Sequence, residues 1–325
     1  MCGGAQKQRT LTAGKMVSYS WNKLGVWLVF IVLFIILAFA NDKFLLPANL
    51  INVIRQICVN AVVALGATYV VLCGEIDLSQ SSLAVLAGCG CAMLIMRAGM
   101  NIYLAMLIAL AVGTAVGALM GLIVTKLRVQ SFIATLGMQY ALAGVVLLLT
   151  NSRPITGLPD SFAVFGRGYL GPVPVPSIVL VIVFLVGAFV LKYTAFGRNV
   201  LAVGENPTAA NLSGISVHKT KIAVFAIAGL MSAMGGLLLT ARLSSGQPSS
   251  GSDLSLQALA AVFVGGASKG SVMNTLAGAL IMGLINNGLN LMEVNAYWQK
   301  IALGFIIVGA VALDMFRSLH SGSKQ

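Results

Sequence analysis

The sequence KYTAFGRNVLAVGENPTAANLSGISVHKTK, residues Lys192–Lys221, is the longest polar segment in a chain that is otherwise almost all apolar. It separates two uncharged apolar runs and carries four basic residues against one acid. Within it, Asn206-Pro207 is typical of a helix start, with the N-cap first and proline at the first helical position. Gly204 interrupts any helix that precedes it, and Gly214 follows the short Ala-rich stretch after Pro207. The segment therefore predicts a short helix on a basic loop between two membrane spans, which suits either a docking element or an ordinary solvated loop.

Composition indicates a membrane protein. Hydrophobic residues make up 58% of the 325 residues, charged residues only 9%, and the mean hydropathy is +0.96. A soluble domain carries roughly 25% charged residues, whereas a bilayer crossing needs about 20 apolar ones. Because a helix satisfies its own backbone in lipid, we expect an all-α, polytopic membrane protein. The basic residues are spread singly and in pairs between apolar runs, which indicates membrane topology and argues against a nucleic-acid partner.

Ten apolar runs are predicted to cross the bilayer. They are residues 25–40, 56–74, 78–96, 98–125, 129–152, 177–191, 222–241, 254–268, 270–292 and 297–314. Ala38-Phe39-Ala40 resembles a signal-peptidase site, but the long basic leader and the many later runs favour an uncleaved first helix. The fourth run carries Gly113, Gly117 and Gly121, a ridge of small residues that predicts a close approach between two helices.

The basic residues also predict the orientation of these runs. With the N-terminus inside, the leader 1–23, the loop 192–221 and the tail 317–325 are cytoplasmic and hold most of the Lys and Arg residues. The proline- and glycine-rich segment 153–176 is then extracytoplasmic, and it is too broken to cross. We therefore expect one transmembrane domain over residues 24–316 in the cytoplasmic (inner) membrane, with both termini inside.

Two interrupted regions occur in what look like corresponding places, residues 74–82 and 265–271. Paired breaks in two halves are typical of inverted repeats around a solute path. With runs 2–5 and 7–10 as the halves, the first helix of each half crosses in the opposite direction, as an inverted repeat requires. The sequence therefore predicts two inverted halves with a path between them.

Polar side chains in and between the runs are candidates for lining that path. Glu75 and Asp77 matter most, because a charge at mid-bilayer costs on the order of 3 kcal/mol. They either shape a hydrated path or form a capped turn in which Asp77 and Ser79 start the third helix. The amides within the runs serve either helix–helix hydrogen bonds or the path. The path candidates are Asn60, Glu75, Asp77, Ser79, Gln139, Gln257 and Asn287, with Asn286 and Asn290 among the other amides.

The sequence predicts no catalytic, metal or cofactor site. The five cysteines lie in the first 91 residues without paired CxxC motifs, and the two histidines are isolated, so neither a metal centre nor a disulfide framework is indicated. The segment 266–271, Gly-Ala-Ser-Lys-Gly-Ser, has the letters of a phosphate-binding loop in the wrong order. We therefore expect a protein that is not an enzyme and that takes energy for any active transport from a partner or an ion gradient.

Six short motifs follow one another along most of the chain. They are Gly-Glu-Ile-Asp-Leu-Ser (74–79), Ser-Phe-Ile-Ala-Thr-Leu-Gly-Met (131–138), Phe-Gly-Arg-Asn-Val-Leu-Ala-Val-Gly (196–204), Leu-Ser-Gly-Ile (212–215), Ala-Arg-Leu-Ser-Ser-Gly-Gln-Pro (241–248) and Asn-Asn-Gly-Leu-Asn-Leu (286–291). Together they resemble the ribose- and arabinose-type permease subunits of bacterial ABC sugar importers. The likeness runs from about residue 24 to 316, so it is more specific than any single motif.

That resemblance implies a fold similar to the vitamin-B12-importer permeases, with around ten helices per chain and two chains per transporter. It also implies cytosolic ATP-binding subunits, an extracytoplasmic sugar-binding protein, and import of a monosaccharide such as a ribose- or arabinose-like pentose or a hexose. Carried over residue by residue, it makes 204–214 the coupling helix that seats in the ATP-binding subunit. The coupling residues are then Gly197, Arg198, Gly204, Glu205, Asn206, Pro207, Thr208, Ala209, Ala210, Asn211, Leu212 and Gly214.

The chain departs from the family pattern at four places. Pro207 replaces a Glu, Asn211 replaces an Arg, and the glycine-rich turn after Gly266 is shortened. Gln80-Ser81 replaces the Val-Gly that follows the first motif. These departures leave open which sugar is carried and whether the chain pairs with itself or with a sister permease.

Two further alternatives stay open. A stand-alone channel or facilitator for sugars or other small solutes has the same composition, but it would bind no partner through Lys192–Lys221. Within the importer reading, the solute is either a sugar or a sugar-like signalling molecule or nucleoside, because such importers leave most of the selection to the binding protein.

Overall fold

The computed structural model describes residues 25–266 and 271–322, and residues 313–322 are described only as backbone helix. The predicted leader and residues 267–270 lie outside the described residues. The described part contains thirteen helices and one two-stranded hairpin: α1 (Gly25–Ala40), α2 (Pro47–Leu72), α3 (Gln80–Met96), α4 (Ile102–Lys126), α5 (Ser131–Thr150), α6 (Asp160–Arg167), β1 (Tyr169–Leu170), β2 (Val173–Pro174), α7 (Val175–Tyr193), α8 (Ala195–Glu205), α9 (Pro207–Leu212), α10 (Val217–Leu243), α11 (Leu254–Val264), α12 (Val272–Leu291) and α13 (Ala296–Gly322).

Each of the ten predicted apolar runs coincides with a helix. Six of them, α2, α4, α5, α7, α10 and α12, are long and apolar enough to cross a membrane. The helices α1, α3 and α11, and α13 as far as Ala312, are shorter apolar helices. At a rise of 1.5 Å per residue, the 11 residues of α11 extend about 16 Å, roughly half the thickness of a bilayer core.

The central helices of the fold are α2 and α10. Every residue of α2 from Ile57 to Val70 is buried, and α10 packs along α2, α3 and α4. A helix that is apolar on all sides is one that other helices surround. The start of α2 differs from the prediction, because the helix begins at Pro47 rather than at residue 56. Proline fixes a helical φ at the first position, and the helix continues through residues 48–55, where the polar residues are Asn49, Asn52 and Arg55.

The ridge of small residues on α4 lies directly against α10. A Cβ atom added to Gly117 would be 2.3 Å from the carbonyl oxygen of Phe225, and one added to Gly113 would be 2.9 Å from that of Gly229. A Cβ atom on Gly229 would in turn be 2.2 Å from the carbonyl oxygen of Gly113. The two backbones therefore approach to contact at Gly117 and Gly229, with only the Cβ atom of Ala233 beside Gly113, and the predicted close approach is confirmed.

The chain breaks do not pair as we expected. The first break, residues 74–79 after α2, lies against the start of α11. The helix α11 follows the second break, residues 244–253, which begins where Ser244 ends α10 in a left-handed conformation with φ of 50°. The expected partner, residues 265–271, is instead the connection from α11 to α12. The prediction was wrong because the two breaks occupy different places in their halves. The first break follows α2, the first helix of its half, whereas residues 265–271 follow α11, the second helix of the other half.

The segment 153–176 carries no long helix, as its prolines predict, but it is not irregular throughout. It contains α6 and the β1–β2 hairpin, in which Tyr169 pairs with Pro174. Ahead of α6, Ile155 forms an antiparallel bridge with Gly246 of the second break. Each residue donates its N–H to the other's carbonyl, at 2.8 and 2.9 Å. The segment is thus fastened to the break that leads into α11.

Candidate coupling and translocation sites

The polar loop between α7 and α10 folds into two helices, α8 and α9, which we call the loop helices. At the start of α9, the Asn206 side chain accepts the N–H of Ala209 at 2.9 Å, and Pro207 occupies the first helical position. At its end Gly214 has a φ of 83°, and the next residue donates its N–H to the carbonyl of Ala210 at 3.0 Å. The predicted short helix, with its N-cap and its closing glycine, is confirmed.

The loop helices are seated on the end of α2. A Cβ atom added to Gly204 would lie 1.8 Å from the carbonyl oxygen of Leu72, so the α8 backbone touches the last turn of α2. The Phe196 ring of α8 stacks on Tyr69, with 6.3 Å between centroids. The Tyr69 hydroxyl donates to the carbonyl of Gly187 in α7, at 2.6 Å. Backbone contact and aromatic packing therefore join α8 to the central helix α2.

The opposite surface of the loop helices is open. Leu212 is 85% exposed, although it is a large aliphatic side chain. Of the twelve residues predicted for coupling, Gly197 and Ala210 are buried and Gly204 is half-buried against α2. The other nine are exposed: Arg198, Glu205, Asn206, Pro207, Thr208, Ala209, Asn211, Leu212 and Gly214. The predicted residues therefore divide into a few that hold the helices in place and a larger set that faces outward.

The first break is held here by two neighbouring elements, α10 and α5. Glu75 forms an ion pair with Lys221, one turn into α10, and both side chains are mostly buried. At the next residue, Ile76 receives a hydrogen bond from the Thr135 hydroxyl at 3.4 Å and donates its N–H to Ser131 at 3.3 Å. Glu75 thus lies beside the loop helices rather than within a span, and its charge is compensated.

Asp77 and Ser79 form a local turn. The Asp77 carboxylate accepts both the backbone N–H of Ser79, at 2.9 Å, and its hydroxyl, at 2.6 Å. Such a turn is the Asx type, in which a side chain replaces a backbone acceptor. The expectation that these side chains cap α3 was wrong, because Ser79 occupies the N-cap position without a capping hydrogen bond from its side chain. The predicted turn ahead of α3 is thus present without an N-cap bond, and a path-lining role for Asp77 and Ser79 stays a prediction.

The starts of α3 and α11 meet at a contact that we call the junction. The Ser81 N–H donates to the Ser255 hydroxyl at 2.7 Å, and that hydroxyl donates to the carbonyl of Leu78 at 2.8 Å. One turn along α11, Gln257 accepts a hydrogen bond from Asn60, at the middle of α2, at 2.6 Å. Two predicted path residues, Asn60 and Gln257, are therefore brought together, and two helix N-termini lie face to face next to them.

Two side chains of the junction have no hydrogen-bond partner. Gln80 is 0% exposed, yet neither its amide nitrogen nor its amide oxygen has a partner, and the Ser81 hydroxyl also lacks one. Space for the Gln80 amide comes from Gly66, whose missing Cβ atom would lie 3.2 Å from the amide nitrogen. These residues were not among the predicted path candidates. The sequence signal for them was a polar glutamine near the start of a mostly apolar run.

The remaining path candidates lie elsewhere. Asn287 forms two reciprocal side-chain hydrogen bonds with Asn49, at 2.8 and 3.1 Å, which join α12 to the beginning of α2. These are helix–helix hydrogen bonds, one of the two uses expected for the amides, and a path-lining role for Asn287 stays a prediction. Gln139 is half-buried on α5. The structure thus brings together only part of the predicted set.

Three arginines gather at the other end of α2 and α10. Arg55 donates to the carbonyl of Arg167, and Arg167 donates to that of Arg242 at 2.6 Å. The Arg55 guanidinium lies 4.9 Å from the centre of the Tyr169 ring. Among the described residues the single ion pair is Lys221–Glu75, so no acid pairs with this arginine cluster. Sequence reasoning missed it, since the three residues are far apart in the chain.

Comparisons with known proteins agree with this architecture. The family model described as Branched-chain amino acid transport system / permease component matches residues 49–311. The ribose import permease protein of Haemophilus influenzae is 43% identical over 298 residues, which cover 89% of this chain and 92% of that protein. The ribose import permease protein of Bacillus subtilis is 40% identical over 303 residues, 91% of this chain and 94% of that protein. That of Escherichia coli is 43% identical over 292 residues, covering 87% and 91%.

No solved structure matches the chain significantly. The family match covers well over half of the residues, and it includes the first break, the loop helices and both sides of the junction. The apolar helices and the relatives agree on a multi-pass membrane transport subunit rather than an enzyme. The chain belongs to the family of branched-chain amino acid transport system permease components, in the group that contains the ribose import permeases.

Proposed function

We propose that this chain is the permease of an ATP-driven importer that moves a ribose-like monosaccharide across the inner membrane. The observation that carries the proposal is the seat of the loop helices, which expose one surface and touch α2 backbone to backbone through Gly204. Relatives that are 40–43% identical over nearly their whole length are named as ribose import permeases. That similarity supports a pentose of this kind as the solute.

In this mechanism a cytoplasmic ATP-binding subunit docks on the exposed surface of α8 and α9. Closure of the ATP-binding subunits pushes on α8, and the Gly204–Leu72 contact passes the displacement to α2. The Glu75–Lys221 ion pair ties the first break to α10, so that both central helices respond. Access then alternates between the two sides, provided that the partners bind the two states with different affinities.

The contacts between helices support an inverted repeat of α2–α5 and α10–α13. The helix α4 packs on α10 as α12 packs on α2, and α3 packs on α10 as α11 packs on α2. In the same way α5 contacts α3, and α13 contacts α11. We propose ten membrane helices in this arrangement, with a fold similar to the vitamin-B12-importer permeases and with the short α11 entering only part of the bilayer.

We also propose the orientation and the assembly. The termini and residues 192–221 are cytoplasmic, the domain 24–316 is transmembrane, and residues 153–176 are extracytoplasmic, in line with the distribution of basic residues. Two permease chains, identical or sister, assemble with the ATP-binding subunits. The path runs along the interface of the two permeases, as in the mechanism that the family resemblance implies.

The arginine cluster supports docking of a sugar-binding protein on the outer face. Three like charges that have no acidic partner within the described part of the chain repel one another, and they attract a partner that brings carboxylates. Arg167 is exposed, whereas Arg55 and Arg242 are half-buried, so the cluster presents its charge at a rim. We propose that acidic side chains of the binding protein contact this cluster.

Reconstitution tests the proposal. The chain is purified with the proteins that accompany it in mild detergent, placed in liposomes with its binding protein, and assayed for uptake of D-ribose with and without ATP. We expect a co-purifying ATP-binding subunit and uptake that requires ATP. Uptake by the chain alone without ATP would instead establish a facilitator, and ATP-dependent uptake of a nucleoside but not of sugars would redirect the substrate.

The outer docking site has its own test in the same liposomes. Arg167→Glu is expected to raise the binding-protein concentration for half-maximal uptake by about 10-fold at low salt, and less at high salt, because exposed charges are screened. Arg153→Glu, on the same segment but outside the cluster, is the matched control. Equal effects of the two variants would remove the cluster from the docking site.

A further inference from the structure

The junction presents a hydrogen-bonding site that the proposed coupling mechanism leaves unused. The Gln80 amide carries one donor and one acceptor group, the Ser81 hydroxyl carries both functions, and all of these atoms are buried without partners. Buried polar groups nearly always have partners, so each exception requires an explanation such as a bound ligand or water. Here three such atoms come from two neighbouring residues.

The neighbouring groups of the junction do not pair with the Gln80 amide or the Ser81 hydroxyl, because they already form hydrogen bonds with one another. The Ser81 N–H donates to Ser255, and the Ser255 hydroxyl is occupied in turn by the carbonyl of Leu78. Asn60 donates its amide N–H to the Gln257 amide oxygen at 2.6 Å. The hydrogen bonds of the junction thus use neither the Gln80 amide nor the Ser81 hydroxyl, and those two groups remain available for a ligand.

The position of the two groups suits a ligand that is carried through the protein. Gln80 and Ser81 are the first residues of α3, and Ser255 is the second residue of α11, so two helix N-termini converge there. Discontinuous helices whose N-termini meet inside a membrane protein are typical of solute sites in transporters. Gly66 of α2 leaves the space that the Gln80 amide occupies.

The chemistry of the site selects a neutral ligand. An amide and a hydroxyl together offer donors and acceptors but no charge, and the nearby Asp77 carboxylate is engaged by Ser79. A hydroxyl group, which donates one hydrogen bond and accepts others, complements this set. Water and a monosaccharide both offer such a group.

We propose that Gln80 and Ser81 form a hydroxyl-binding site at the junction, which takes a hydroxyl of the monosaccharide during translocation, when a rearrangement of the core opens the junction to the path at the permease interface. This inference rests on the proposed function. It adds a selectivity step inside the permease, after the choice that the binding protein makes.

The test measures discrimination between hydroxyl groups in the reconstituted, complete transporter. Uptake of D-ribose is compared with that of 2-deoxy-, 3-deoxy- and 5-deoxy-D-ribose for the wild type, Gln80→Met and Ser81→Ala. Because the same binding protein serves every variant, its own preference cancels when ratios are compared. For at least one analogue, the ratio of D-ribose uptake to analogue uptake is expected to fall by about 2- to 10-fold in both variants, as for loss of one hydrogen bond.

Controls separate a local effect from a general one. Gln130→Met makes the same chemical change at an exposed position and should keep every ratio. Ser81→Ala retains the backbone hydrogen bond to Ser255, so it serves if Gln80→Met does not assemble. Wild-type ratios in Ser81→Ala, with normal ATP hydrolysis, would mean that the site binds water only, and the inference would be overturned. A wild type that imports no monosaccharide would instead overturn the proposed function itself, and the inference with it.

Discussion

The loop helices and the junction differ in how their structure is encoded. In α9 each end is set by residues within a few positions, Asn206 and Pro207 at the start and Gly214 at the end. The junction depends on Ser81 and Ser255, which are 174 residues apart. The loop helices expose most of their residues, whereas the junction is buried. A region of the first kind keeps its own helical structure while a partner binds its exposed surface, and one of the second kind changes only when the core rearranges.

The largest effect is expected where the loop helices touch the core. Gly204→Ala would place a methyl group 1.8 Å from the carbonyl oxygen of Leu72, so α8 must move away from α2. We predict at least a 10-fold loss of ATP-driven uptake, while the protein still inserts and still binds the ATP-binding subunit. Uptake by reconstituted vesicles and co-purification measure the two quantities.

Gly144→Ala is the control for this variant, since an added Cβ atom there meets nothing within 4 Å. If Gly204→Ala transports as well as Gly144→Ala does, α8 is not the element that drives α2, and the proposed coupling between the docking region and the core fails.

An intermediate effect is expected at the junction. Ser255→Ala removes the acceptor for the Ser81 N–H and the donor to the carbonyl of Leu78, and it leaves both buried backbone groups unpaired. Such a loss costs about 1–3 kcal/mol. We predict a lower temperature of unfolding in detergent, with unchanged affinity for the ATP-binding subunit. Ser252→Ala, at an exposed position just before α11, is the matched change. A stability equal to that of Ser252→Ala would show that the two helix starts do not depend on each other.

The smallest effect is expected from the N-cap of α9. Asn206→Ala removes the hydrogen bond to the Ala209 N–H, and loss of such a cap costs roughly 0.5–2 kcal/mol of helix stability. Because the helix is exposed, we predict a few-fold weaker binding of the ATP-binding subunit and no change in the unfolding temperature. Asn206→Ser, which keeps a capping side chain, should retain wild-type binding. A drop in unfolding temperature as large as that of Ser255→Ala would contradict the separation of the two regions.

The difference between local and long-range contacts also explains which features could be predicted from the sequence. The ten apolar helices, the glycine ridge of α4 and the short α9 follow from composition, spacing and caps, all of which are local. The ion pair of Glu75 with Lys221, the partnership of Asn60 with Gln257, and the gathering of Arg55, Arg167 and Arg242 depend on which helices are neighbours. Periodicity does not carry that information. The pairing of the chain breaks failed for the same reason, since a short apolar run has no local mark that shows which helix it follows in space.

The bridge between Ile155 and Gly246 gives the junction a connection to the far side of the protein. Its two hydrogen bonds fasten the proline-rich segment to the second break, and eight residues beyond Gly246 the chain reaches α11 and then Ser255. On the other side, the Gly204–Leu72 contact reaches the junction through the first break, over a similar length of chain. In the proposed mechanism, the start of α11 is therefore linked to the outer binding protein and the start of α3 to the inner ATP-binding subunit. Both proteins would then act on the same pair of hydrogen bonds, Ser81–Ser255 and Ser255–Leu78.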